Sequence, residues 1–181
     1  TTLFRSYIVV AGGQESMSQA PHVIHIRNGK KLGDTELIDS MIKDGLWDAF
    51  NGYHMGITAE NVAQKFQVTR KDQDKFAFDS QTKALKAQKE NKFKDEIVPL
   101  ATKMDVMNKE TKEVSEQEVT VDKDECNRPQ TTIESLAGLQ PVMGPDKYIT
   151  AGNASPLSDG ASSCLLMDAK EAEKRNIAPM G

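Results

Sequence analysis

Two short apolar runs at opposite ends of the sequence constrain what this chain can fold into. Residues 7–11 read Tyr-Ile-Val-Val-Ala, and residues 161–167 read Ala-Ser-Ser-Cys-Leu-Leu-Met. Both are too short for a helix and both border small polar residues, so each is expected to be a strand. The first runs into Gly12 and Gly13. The second leaves a loop that contains Gly152, Asn153, Ser155, Ser158, Asp159 and Gly160. The glycines are expected to permit backbone geometry that a side chain would resist, and the polar residues to hydrogen-bond their own turns. A small-residue loop before a buried strand lets a backbone come close to a ligand, although the same pattern also serves as a tight turn into a core.

Between the two runs the pattern is mainly helical. Leu37, Ile38, Met41 and Ile42 recur at helical spacing, and Gly45 ends that helix. Trp47, the single tryptophan, follows and reads as core or as a cover for an apolar ligand chain. Ala59, Val62, Ala63 and Phe66 stripe a helix over residues 58–66. His54 just before it reads as a structural hydrogen-bonder rather than as an acid or base. Thr69 and Asp72 have capping-box spacing and open the longest helix, which ends near Asn91 with Ala77, Gln81, Ala84 and Gln88 along one face. Residues 93–100 read as a strand or extended connector broken by Pro99. Residues 102–124 are charge-rich and read as a strand pair anchored by Val114, Val119 and Val121. Short helices are expected after Thr132 and over residues 168–175.

Composition narrows the class. The 181 residues suffice for one domain or for a core with an insertion. With 38% hydrophobic and 28% charged residues, the chain is globular in type rather than disordered or membrane-spanning. A net charge of -4 gives no global basic field for nucleic acid, while a local basic patch for an anionic ligand remains compatible. Cys164 lies in an apolar run and is expected as a small core residue; Cys126 lies among carboxylates that discourage a thiolate. A reducing compartment is expected, and no apolar run approaches membrane-spanning length. Residues 1–6 are expected to be a non-native leader joined to an internal fragment.

Four blocks carry a resemblance. They are Val10-Ala-Gly-Gly-Gln-Glu-Ser-Met-Ser-Gln-Ala-Pro-His22, His54-Met-Gly-Ile-Thr-Ala-Glu-Asn61, Phe93-Lys-Asp-Glu-Ile-Val-Pro99 and Thr150-Ala-Gly-Asn-Ala-Ser155. In this order they resemble the thiolases, of the acetyl-CoA acetyltransferase kind, over residues 7–181. The resemblance implies an α/β fold, in which two antiparallel neighbours of the N-terminal mixed sheet carry a mainly helical loop domain between them. Residues 7–18 would form the first strand and loop, 19–145 the loop domain, and 146–181 the return strand and helix. The C-terminal thiolase domain would lie outside this chain.

The resemblance further implies condensation of two acetyl-CoA to acetoacetyl-CoA and CoA, or the reverse thiolysis. That chemistry needs an acylatable thiolate, a base, an acid and an oxyanion site. The family's nucleophilic cysteine precedes the segment matching Tyr7. Its Gly-His-Pro histidine, second cysteine and Asn-Glu-Ala-Phe asparagine follow Gly181. No catalytic residue is therefore expected within this chain, and His22, His25 and His54 are not substitutes.

What the matching positions imply is recognition of CoA. Leu46 and Met55 would give apolar contact, His54 would lie beside the thioester end, and Arg128 near the nucleotide. Ala151 and Ser155 would meet the pantetheine arm. The coenzyme A thioester is then substrate, and neither a separate cofactor nor a metal is expected. Arg27, Lys30 and Lys31 surround Asn28-Gly29, a turn that could close a hairpin. They match a cationic hairpin that contributes to assembly, so a homo-oligomer, dimer or tetramer, is expected, with no nucleic-acid or membrane partner. The expected compartment is cytoplasmic or mitochondrial.

Two departures stand out. Pro129 follows Arg128 where the family often has His, and Pro156-Leu157-Ser158 replaces a frequent Gly-(Leu/Ile)-Asn. The second leaves acyl-chain length open, so a longer-chain 3-ketoacyl-CoA thiolase of fatty-acid β-oxidation is the alternative enzyme. A non-catalytic CoA-binding or assembly module is the alternative from another class.

Overall fold

The computed structural model of the protein describes residues 6–180. The leader expected at residues 1–6 thus lies, except for Ser6, outside the described residues. In chain order the strands and helices begin with β1 (Ile8–Ser16), a 3-10 turn (Met17–Gln19), β2 (His22–Val23), β3 (Ile38–Asp39), α1 (Ser40–Gly45) and β4 (Trp47–Asp48). They continue with β5 (Tyr53–His54), α2 (Met55–Phe66), α3 (Arg70–Lys89), β6 (Leu100–Met107) and β7 (Val114–Val121). Last come α4 (Ile133–Ala137), β8 (Asp159–Met167) and α5 (Ala169–Lys174). The chain divides into two units, Thr1–Gly52 with Leu157–Gly181, and Tyr53–Pro156.

In the first unit the two terminal runs pair as expected. β1 and β8 form an antiparallel ladder from Ile8 opposite Met167 to Ser16 opposite Asp159. The ladder outruns the apolar residues into a glycine- and serine-rich half that also carries Gln14, Glu15 and Asp159. A Cβ on Gly12 would stand 2.5 Å from the Ser162 carbonyl oxygen, so only glycine tolerates this approach. Alternation puts Ile8, Val10, Leu165 and Met167 on one face and Val9, Ala11, Cys164 and Leu166 on the other. Strands apolar on both faces are the kind that a sheet covers on both sides. Here β8 is exposed along residues 159–166, and Cys164 is exposed rather than core for that reason.

The 3-10 turn is tied to the start of β8. The Ser18 amide donates to Asp159 Oδ1 at 3.0 Å, and the Ser18 hydroxyl donates to Oδ2. The Ser18 hydroxyl first, then its amide, hold the Asp159 carboxyl below its ordinary value of 3.8.

β2 and β3 pair through His22 opposite Asp39 and Val23 opposite Ile38. A turn does occur at Asn28-Gly29, where the Gly29 amide donates to the Ile26 carbonyl at 2.8 Å with φ +72°. It sits inside a long connection and does not close a two-residue hairpin. Asp39 caps α1 by accepting from Met41 N at 2.9 Å, which starts that helix at Ser40 rather than at Leu37. Trp47 is partly exposed, with the Lys43 ammonium 5.8 Å from its ring centroid.

In the second unit α3 opens with the expected capping box. Thr69 Oγ1 accepts from Asp72 N at 3.2 Å and Asp72 Oδ2 accepts from Thr69 N at 3.2 Å. Residues 93–97 turn rather than extend, with the Ile97 amide on the Phe93 carbonyl at 3.0 Å. β6 starts only after Pro99, which has no amide to give a ladder. It pairs antiparallel with β7, from Leu100 opposite Val121 to Met107 opposite Val114, which is the strand pair expected in this charge-rich stretch. Ala63 of α2 and Leu136 of α4 are the buried apolar side chains among the described residues.

Candidate functional site

The site is assembled in the second unit, starting where His54 ends β5 and caps α2. His54 has extended dihedrals, and its Nδ1 accepts the Gly56 amide at 2.9 Å. A neutral imidazole that accepts at Nδ1 carries its proton on Nε2, so this ring has one donor to spare and no second acceptor. That is the structural role expected of it. A Cβ on Gly56 would meet Met143 Cε at 2.1 Å, so the start of α2 and the segment around residue 143 are in close contact. Met55, the first residue of α2, is half-exposed.

One turn further on, α2 carries a buried carboxylate. Glu60 is 3% exposed, and its Oε1 accepts from Tyr148 N at 2.9 Å and from Ile149 N at 2.8 Å. Oε2 adds a contact to Tyr148 N at 3.1 Å. Burying a carboxylate is costly unless hydrogen bonds replace its water, and here two consecutive backbone amides do so. α3 carries a second one. Asp74, also 3% exposed, accepts from Arg70 Nε at 2.9 and 2.8 Å and from Asn153 Nδ2 at 3.3 Å. Arg70 in turn donates to the Leu136 carbonyl at 2.7 Å and the Leu139 carbonyl at 3.1 Å, satisfying the open end of α4.

These two carboxylates converge on residues 148–154, the loop singled out in the sequence. Asn153 closes it on itself, with Oδ1 accepting from Thr150 N at 2.8 Å and Nδ2 donating to the Tyr148 carbonyl at 3.0 Å. Thr150 is fully buried, and its Oγ1 accepts from Gly152 N at 3.2 Å and Asn153 N at 3.3 Å. Gly152 is not in the left-handed region. It is glycine for space, since a Cβ would lie 2.5 Å from Leu139 Cδ1 and 2.6 Å from Leu136 Cδ2. Gly160 has open space around it and no positive φ, so neither reason applies there.

The residues expected to meet CoA are distributed as follows. Ala151 and Ser155 sit exposed on this anchored loop. His54 and Met55 sit at the start of the helix whose Glu60 anchors it. Arg128 is exposed at the side chain, while its amide donates to Gln81 Oε1 at 3.0 Å on α3. With Gln88 Nε2 on the Asp124 carbonyl at 3.2 Å, the expected four-residue face of α3 is what holds this segment. Leu46 belongs to the other unit, where its amide closes α1 on the Ile42 carbonyl at 3.0 Å.

Glu60, Arg70 and Asp74 are the residues that sequence reasoning missed. A signal was present. Glu60 falls three residues before Ala63, the buried member of the expected stripe, whose Val62 and Phe66 are exposed, and Asp74 lies three before Ala77 on the α3 face. A carboxylate in register with a buried stripe is a candidate for a specific buried role. Among the described residues no cluster of His, Cys, Asp and Glu is arranged to hold a metal ion, and no helix is long and apolar enough to cross a membrane.

The strand pair, the helical segment and the anchored small-residue loop have a known counterpart, because residues 4–170 match the family described as thiolase, N-terminal domain. The chain belongs to the thiolase family. It is 53% identical to the acetyl-CoA acetyltransferase of Rhizobium meliloti (strain 1021) over 173 residues, covering 96% of this chain and 42% of that protein. Among solved structures it matches Bacillus anthracis acetyl-CoA acetyltransferase with a TM-score of 0.84 and 38% identity. It matches human mitochondrial 3-ketoacyl-CoA thiolase in complex with CoA with a TM-score of 0.81 and 38% identity. Each covers 98% of this chain and 42% of that one. The chain therefore spans 42% of the length of the relatives it matches.

Proposed function

We propose that the full-length protein is an acetyl-CoA C-acetyltransferase, condensing two acetyl-CoA to acetoacetyl-CoA and CoA and catalysing the reverse thiolysis. The observation that carries this reading is the 53% identity to a protein of that name along 96% of this chain. The part supplied here is CoA recognition. Ala151 and Ser155 would meet the pantetheine arm, Leu46 and Met55 its apolar surface, His54 the thioester end and Arg128 the nucleotide. CoA thioester is the substrate, and no separate cofactor is invoked. The acylated thiolate and the proton-transferring groups would come from outside residues 7–181. His54 Nδ1 is already committed to Gly56, which leaves the ring an Nε2–H donor for a ligand and no free nitrogen to act as a base.

A homodimer or homotetramer would complete the enzyme, with Arg27, Lys30 and Lys31 at an assembly surface. Its place would be lipid metabolism, in the cytoplasm or the mitochondrion.

The test is turnover of acetoacetyl-CoA with CoA by the purified full-length protein, beside its Ser155→Ala variant. Losing one neutral hydrogen bond costs ~1 kcal/mol, so the KM for the CoA substrate should rise roughly fivefold with kcat little changed. An unchanged KM rejects the Ser155 assignment. No turnover rejects the activity. Turnover that improves with acyl length instead favours the longer-chain 3-ketoacyl-CoA reading, for which Pro156 and the match to the human mitochondrial enzyme speak.

A further inference from the structure

The amides of residues 148–155 can be accounted for one by one. Tyr148 N and Ile149 N are taken by Glu60, and Thr150 N by the Asn153 side chain. Gly152 N and Asn153 N go to Thr150 Oγ1, and Ala154 N goes to the Thr150 carbonyl at 3.2 Å. Among the described residues, the two amides of this loop with no protein acceptor are those of Ala151 and Ser155. Both residues are exposed, whereas Glu60, Asp74 and Thr150, which hold the loop, are buried. Buried amides are normally satisfied, so the pattern separates an anchored side from a side free to bind. The anchors are costly ones. Two carboxylates are held 3% exposed on two different helices, and the loop groups they accept from are Tyr148 N, Ile149 N and Asn153 Nδ2.

We propose that Glu60, together with Asp74 acting through Asn153, is a positioning residue that fixes the loop so that the Ala151 amide and the Ser155 amide and hydroxyl face an amide-bearing ligand. Neither carboxylate touches that ligand. Glu60 sets where the loop begins through Tyr148 and Ile149, and Asp74 sets its turn through the Asn153 amide nitrogen. Free donors held in place recognise the carbonyls of a flexible, amide-containing arm with less ordering cost than a mobile loop would incur. This rests on the CoA reading above.

The experiment compares wild type, Glu60→Ala and Glu60→Gln in the full-length protein, by CoA titration well below each melting temperature and by amide hydrogen exchange without ligand. In wild type Oε1 makes the two shorter bonds to the loop amides and Oε2 only a longer second contact to Tyr148 N, so a glutamine with its oxygen at the Oε1 position keeps both shorter bonds and gives up the longer one. Glu60→Gln should therefore bind CoA nearly as wild type does, with Tyr148 and Ile149 still protected. Glu60→Ala should bind about tenfold more weakly, with those two amides exchanging freely. A role in stability alone would lower the melting temperature and leave the CoA dissociation constant unchanged. Wild-type affinity in Glu60→Ala, retained amide protection in Glu60→Ala, or a glutamine variant as weak as the alanine one each overturn the proposal. Failure of the CoA reading is distinguishable, because wild type itself then shows no binding while its loop amides remain protected.

Discussion

At the scale of single residues, His54 is the position where the ring's usual reputation and its actual bonding diverge most. Its Nδ1 stands in for the side-chain oxygen that normally caps a helix, at 2.9 Å from Gly56 N. Asparagine is a strong N-cap and alanine is a poor one. His54→Asn should therefore keep the stability of the full-length protein, while His54→Ala should lose about 1 kcal/mol. The check is the urea midpoint at constant slope. Equal losses in both variants would mean that the imidazole contributes through packing instead. The capping role was legible from a lone histidine just before an apolar stripe. The Met143 contact over Gly56 was not, because Met143 lies far along the chain and no local pattern announces a methyl group resting on a glycine.

Elements were easier to read than the bonds between them. The paired end strands, the capping box at Thr69 and the strand pair in the charge-rich stretch follow from residue types a few positions apart. Cys164 misled because strand patterning reports the faces a strand offers, and β8 offers apolar faces that are exposed here. The tie between the 3-10 turn and β8 was equally invisible, since Ser18 and Asp159 stand far apart in the sequence. It carries a pH signature. The Asp159 carboxyl is lowered in the folded protein by the Ser18 hydroxyl and then the Ser18 amide. Its ionised form is thus favoured by folding, giving stability that is present above the ordinary value of 3.8 and lost as pH falls through the lowered one. Ser18→Ala should lower the urea midpoint of the full-length protein at neutral pH, with the deficit closing as pH falls below 3.8 and through the lowered value. A deficit that persists unchanged into acid would show that the hydroxyl acts otherwise.

At the scale of the whole molecule, polar anchoring is well developed and apolar burial is not. The second unit satisfies two buried carboxylates and a buried threonine around one loop, yet Ala63 and Leu136 are the apolar side chains buried among the described residues. In the first unit β1 and β8 form a two-stranded sheet with Val10 72% exposed on one face and Leu166 56% exposed on the other. A two-stranded sheet is marginal in water on its own, and its open edges and apolar faces invite association. Chemistry of this kind wants further strands beside the pair and a layer on each face. The 181-residue chain produced alone should accordingly self-associate and melt without a sharp transition, read by sedimentation and scanning calorimetry. If it instead sediments as a monomer with a cooperative transition, the exposed faces of β1 and β8 must find cover within these 181 residues. Val10 and Leu166 would then lose their exposure, and amide exchange along the ladder would show it.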